Sequence, residues 1–243
     1  MADGFASFFD TYSRKARIQP VLIAALPLTI LGLSAIPLLP GWSRLWGLVL
    51  ASGAPAVLDQ LGRSGGQRME PDLFRAWGGK PTTLLLRFNG PTSTTLQGHR
   101  HVKLQNIVGD TLHIPNAVEE SAAPDAADEA YDAAVAVLRA RTRREGFDLV
   151  FKENCNYGFR RNLLGLRRTG VILSCLGLVL SLAGLVVGAA RLPSLGTAPF
   201  VVSILVDLGL LGFWLRVVSS GWVKSQAYDY ANRLLEAIET LDA

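Results

Sequence analysis

The residues best suited to chemistry stand together in Asn154-Cys155-Asn156-Tyr157-Gly158-Phe159-Arg160-Arg161-Asn162. On a helix, Glu153, Tyr157, Arg160 and Arg161 share a face, because positions three and four apart are neighbours. Arginine forks grip phosphate through two parallel hydrogen bonds, and an aromatic face stacks a base. With Trp77, Arg87 and Lys103 from the preceding segment, this set describes a site for an anionic, nucleotide-like ligand. The same arginines have a second use, since cations beside an apolar span orient it and touch lipid headgroups.

Other chemistries find less support. Gly78-Gly79-Lys80-Pro81-Thr82-Thr83 invites comparison with a phosphate loop, which needs a glycine five residues before its Gly-Lys pair and Ser or Thr after the lysine. Phe74 and Pro81 occupy those places, so a sharp turn is expected. His99 and His101 are two apart and point in different directions on a helix. Neither they nor His113 have clustered cysteines or carboxylates beside them, and no metal or other cofactor is expected. No Ser-His-Asp or Cys-His constellation can be named, and nothing argues for an enzyme. Cys155 and Cys175 fall in different environments, and no disulfide is expected between them.

Two further features lie in apolar surroundings. Asp207 sits in the middle of a long apolar stretch, with Ser203 one turn before it. A carboxylate in hydrocarbon costs about 2.5–3.5 kcal/mol on insertion scales and turns toward protein or water. It reads either as part of a proton or ion pathway or as a neutral, hydrogen-bonded packing group. Gly170, Ser174, Gly177, Ser181, Gly184 and Gly188 recur at alternating spacings of four and three, on one helical stripe. Small residues let helices approach closely in lipid, and the same stripe could instead line a narrow aqueous path.

The elements that position these residues are four apolar stretches arranged as two pairs: Pro20–Leu39, Leu45–Leu61, Val171–Ala190 and Ala198–Leu215. A crossing helix needs about 20 apolar residues, within a range of about 17–25. The fold expected is an all-α integral membrane protein: four transmembrane helices in two hairpins, with a mainly helical cytoplasmic domain inserted between the pairs. An N-terminal interfacial segment (1–19) precedes hairpin 1 (20–61), and the cytoplasmic domain (62–168) leads into hairpin 2 (169–217) and a C-terminal amphipathic helix (218–243). Arg14, Lys15 and Arg17, then Arg63, Arg68, Arg75 and Lys80, then Arg160, Arg161, Arg167 and Arg168, then Arg216 and Lys224 flank the spans. Positive charge marks the cytoplasmic side, so both termini and the central domain belong there. The second stretch is the weakest, being uncharged only over Leu45–Leu58. No cleavage site follows the first stretch, so no signal peptide is expected. Phe5, Phe8, Phe9 and Tyr12 fall at the spacing of an interfacial helix.

Within the central domain, Pro71 suits the first turn of a short helix, Glu70–Trp77. Thr82–Phe88 reads as a short strand or extended connector, and Leu96–Val108 as a helix ended by Gly109-Asp110. Pro115 and Pro124 open helical stretches, the longer running to about Arg144 with Tyr131, Val135 and Leu138 on one face. Phe147–Leu164 leads into the third span. Ala227, Ala231, Leu234, Ile238 and Leu241 form a C-terminal stripe that could bundle copies of the chain.

Trp77-Gly78-Gly79-Lys80-Pro81-Thr82-Thr83 and Tyr157-Gly158-Phe159-Arg160-Arg161-Asn162-Leu163-Leu164-Gly165 resemble segments of a poorly characterised bacterial inner-membrane family. The layout resembles the four-transmembrane pore-forming effectors of nucleotide-signalled anti-phage defence systems. That resemblance implies a homo-oligomeric ion channel in membrane lipid, opened by a cyclic or linear oligonucleotide that an upstream nucleotidyltransferase supplies. It implies no ligand residues one by one. A proton- or ion-coupled transporter centred on Asp207 and a non-conducting scaffold are the other two functions the residues allow.

Overall fold

The computed structural model describes residues 11–35, 54–143, 146–191 and 197–241; at 33–35, 54–64 and 188–191 it describes the backbone only. Every regular element among these residues is a helix. A π-helical turn, Ser13–Ile18, runs into α1, Gln19–Ala35. Then follow α2 (Ala54–Trp77), α3 (Pro81–Leu86), α4 (Thr94–Val108), α5 (Ala117–Ala122), α6 (Pro124–Arg141) and α7 (Asp148–Arg191). α8 (Ala198–Gly212) continues as a π-helical turn, Phe213–Val217, and α9 (Ser220–Glu236) closes in a 3-10 turn, Ala237–Thr240.

Among the described residues, three stretches are long and apolar enough to cross a bilayer: Ser13–Gly32, Asp148–Val187 and Ala198–Val217. Leu22, Ile172, Val179, Val186 and Leu205 are each more than half exposed on them, a surface that lipid accepts more readily than water. This agrees with membrane association and with the first, third and fourth expected spans. Most of the second, Leu45–Leu61, lies outside the described residues, as do the link at Pro40–Arg44, most of that at Arg191–Thr197, and Phe5, Phe8 and Phe9.

The chain forms two compact units: Met1–Met69 with Gly158–Val223, and Glu70–Tyr157 with Lys224–Ala243. In the first unit α7 and α8 lie antiparallel in strict register. Gly170 faces Trp214, Gly177 faces Asp207, Ser181 faces Ser203 and Gly184 faces Phe200. A second crossing brings α7 onto α2, where a Cβ on Gly165 would stand 2.4 Å from the carbonyl carbon of Gly65. One turn earlier on α7, the Asn162 side-chain amide donates to the carbonyl of Ala16 in the π-helical turn, at 2.6 Å.

The second unit closes around Leu86, Leu104, Tyr131, Leu138, Leu234 and Ile238, all fully buried. The stripe Ala227, Ala231, Leu234, Ile238 and Leu241 is buried too, so it serves this unit's interior and is not open to bundle other copies.

Three local expectations are corrected. Thr82–Phe88 is neither strand nor connector: Pro81 opens α3 and the helix runs to Leu86. Five of its six residues are buried with no strand beside them, and a helix satisfies their backbone groups internally. Pro71 does not open a helix but lies inside α2. The carbonyl that it deprives of a donor belongs to Gln67, and both residues are exposed to water. α6 ends at Arg141, short of Arg144. Other boundaries follow sequence chemistry. Gly109 takes φ +65° and ends α4, and Asn116 caps α5 in a reciprocal pair with Glu119.

Candidate functional site

A cavity of about 220 Å³ opens in the second unit, lined by Glu70, Lys80, Asp132, Arg139, Tyr157 and Tyr230 among others. Each wall is set by helical spacing. Asp132, Val135 and Arg139 share one face of α6, while Ala227, Tyr230, Ala231 and Leu234 share one face of α9. Asp132 anchors α3, accepting from the Lys80 ammonium and, at 2.6 Å, from the Thr83 hydroxyl. The Tyr157 hydroxyl donates to Glu70 at 2.7 Å. Its ring lies nearly parallel to that of Tyr230, 5° apart in plane with centroids 6.2 Å apart. Arg139 is exposed and makes no ion pair among the described residues. The cavity therefore offers aromatic faces, one cation, Arg139, outside any ion pair among the described residues, and a second, Lys80, that shares Asp132.

Of the six ligand residues expected from the sequence, Tyr157 lines this cavity and the others are placed elsewhere. The Arg87 fork is engaged by Asp128, with Nε donating to Oδ1 at 2.8 Å and Nη2 to Oδ2. The hydrogen bond from Asp128 raises the Arg87 pKa and holds the guanidinium charged. Lys103 pairs with Glu239 at 3.0 Å, and His99 meets the same carboxylate at 2.7 Å. Those contacts, the Lys103 hydrogen bond foremost, hold Glu239 below the usual carboxylate range. Trp77 meets Phe74 edge-on at 5.8 Å. Arg160 and Arg161 belong to the first unit. There Arg160 Nη1 donates to the Trp222 carbonyl at 3.0 Å with its guanidinium over the indole, and Arg161 is buried. Arg139 and Tyr230 were missed, although the three-and-four spacing of both helices would have placed them beside the core stripes.

The second unit also holds a buried polar network. Glu120 accepts from the Tyr131 hydroxyl at 2.6 Å and from the Phe88 N–H at 3.0 Å. His101 Nε2–H donates to the Leu86 carbonyl at 2.8 Å, with its ring edge-on to Phe88. Burial pushes the His101 imidazole below its ordinary range and the Tyr131 phenol above its own. Among the described residues, no three His, Cys, Asp or Glu side chains converge as a metal site would.

The expected seam residues do come together in the first unit. Ser174, Ser181 and Ser203 are fully buried, and Asp207 is 1% exposed. Ser181 Oγ donates to Ser203 Oγ at 2.8 Å and lies 3.5 Å from Asp207 Oδ2. Asp207 Oδ1 and Ser174 Oγ have no hydrogen-bond partner among the described residues. A Cβ on Gly177 would stand 2.9 Å from both Asp207 Oδ1 and Pro27 Cβ, so the carboxyl lies flat on α7, close to α1. Gly170 and Gly184 are filled by Trp214 and Phe200. Phe200, Ser203, Asp207 and Trp214 carry the complement of the small-residue stripe, legible in sequence as spacings of three, four and seven.

Neither the models of known protein families, nor the curated proteins, nor the solved structures contain a match to this chain.

Proposed function

We propose that this chain is a ligand-gated effector of the bacterial inner membrane, an ion channel assembled from several copies and opened by a nucleotide or oligonucleotide. It crosses the membrane four times with both termini in the cytoplasm, and an upstream nucleotidyltransferase supplies the signal. The observation that carries this reading is α7. One uninterrupted helix, Asp148–Arg191, bears Tyr157 in the cavity and the seam from Gly170 to Gly184. A ligand that moves Tyr157 acts on a helix whose far end packs closely on α8 through small residues, so a displacement there is felt at once by Phe200, Asp207 and Trp214. The parallel rings of Tyr157 and Tyr230, with Lys80 and Arg139 beside them, favour an aromatic ligand bearing negative charge. The filled seam supports assembly: within one chain Trp214, Asp207 and Phe200 occupy it, so a path forms between copies or by parting α7 from α8.

The test is ion flux from liposomes holding the full chain, with mononucleotides, cyclic dinucleotides and linear oligoadenylates added in turn. Flux should appear with one class and disappear in Tyr157→Ala and Arg139→Glu while the oligomer persists. Silence with every class in correctly assembled protein sinks the proposal.

A further inference from the structure

Among the described residues, Asp207 has no charged partner. It sits where α7 and α8 meet beside Pro27 of α1 and is 1% exposed. Over the described parts of α1, of α7 beyond Arg168, and of α8, the only other titratable side chains are Cys175, which is exposed, and Arg191 at the far end of α7. The arginines nearest in sequence, Arg17, Arg168 and Arg216, stand nine or ten residues from Pro27, Gly177 and Asp207. At helical rise that is about 14–15 Å along the axis. Among the described residues an ionised Asp207 would have only the long Ser181 contact, and that hydroxyl is already directed to Ser203. A neutral carboxyl resolves the conflict. Its own O–H donates to Ser181 Oγ, Ser181 donates to Ser203, and no oxygen needs two protons at once. Burying a lone carboxylate is far less favourable than burying the neutral acid.

We infer that Asp207 is a proton-binding site of the membrane unit: the closed seam holds it as a neutral acid, and releasing the proton requires α8 to part from α7 and α1. The second half follows from steric closure. Asp207 Oδ1 and Pro27 fill the space above Gly177, Phe200 fills that above Gly184, and a carboxylate gains its hydration only if these separate. The same crowding favours a proton over a metal cation, which gathers a shell of oxygens that this contact leaves no space for. The inference stands without the ligand proposal, because the cavity belongs to the other unit.

The experiment is infrared difference spectroscopy on the full chain in lipid bilayers, paired with hydrogen exchange along residues 198–212. At neutral pH the carbonyl stretch of a protonated carboxyl should be present, vanish in Asp207→Asn and shift in Asp207→Glu. Raising the pH should abolish the band and at the same time accelerate exchange along α8. If Asp207→Asn does not assemble, the shifted band of Asp207→Glu makes the assignment. An unchanged spectrum in both variants overturns the proton site, and so does a band that disappears when sodium is added at constant pH. Loss of the band with α8 exchange unaltered overturns the coupling. Liposome flux without nucleotide, tested separately, bears on the channel alone.

Discussion

Arg167 Nε donates to the backbone carbonyl of Trp214 at 3.0 Å, and its Nη2 reaches the next carbonyl, Leu215, at 3.2 Å. Both acceptors lie in the π-helical turn that closes α8, where the last carbonyls of a helix lack intrahelical donors. A cation there also meets the negative end of the helix dipole. An arginine explained in sequence by membrane orientation thus ties α7 to the turn that ends α8, at Trp214, seven residues after Asp207.

Arg167→Met keeps the aliphatic stem and removes both hydrogen bonds. It should cost about 1.5–3 kcal/mol, the usual range for hydrogen bonds from a charged donor. Thermal unfolding of the full chain in detergent measures this, with exposed Arg168→Met as the near-neutral control.

Gly165→Ala places a methyl 2.4 Å from the Gly65 carbonyl carbon, a backbone atom that cannot swing aside. A loss of about 1–3 kcal/mol is expected, as for other overpacked contacts. Gly98→Ala meets nothing within 4 Å inside α4 and should raise stability by roughly 0.5–1 kcal/mol through helix propensity. Equal effects at the two sites would contradict the close crossing.

His101 sets a pH dependence of known sign. Its imidazole is depressed in the folded chain by burial, so folding favours the neutral ring. The stability this confers is complete above the unfolded value near 6.5 and declines as pH falls below it toward the folded value. Melting temperatures between pH 7.5 and 5 should fall more steeply for the wild type than for His101→Gln.

Tyr131→Phe removes the hydroxyl that donates to Glu120 but leaves the Phe88 N–H in place. About 1–3 kcal/mol is expected from leaving a buried carboxylate under-bonded. Glu120→Ala orphans two donors and should cost more. Hydrogen exchange at Leu86–Phe88 reports whether the loss is local.

The helical class, the apolar stretches and most helix ends were legible because local signals set them. Residues at three-and-four spacing predicted the α7 seam, and Gly109 and Asn116 marked real boundaries. Thr82–Phe88 was misread because β-branched residues beside leucines look alike in a strand and in a short buried helix. The ligand set was read from residue type, yet the Arg87 fork is engaged by Asp128 and Lys103 by Glu239, partners 41 and 136 positions away in the chain.

Composition and spacing by themselves determined that this chain builds helices, that some of them suit a membrane, and that one carries a stripe for close approach. These follow from local propensity and transfer free energy, which act on neighbours in sequence. Only the tertiary structure decided which cations are already paired, that Tyr157 meets Tyr230, and that Asp207 is sealed against Gly177 and Pro27. Charge pairing and steric closure depend on which distant residues the fold brings within a few ångströms, and no local pattern records that.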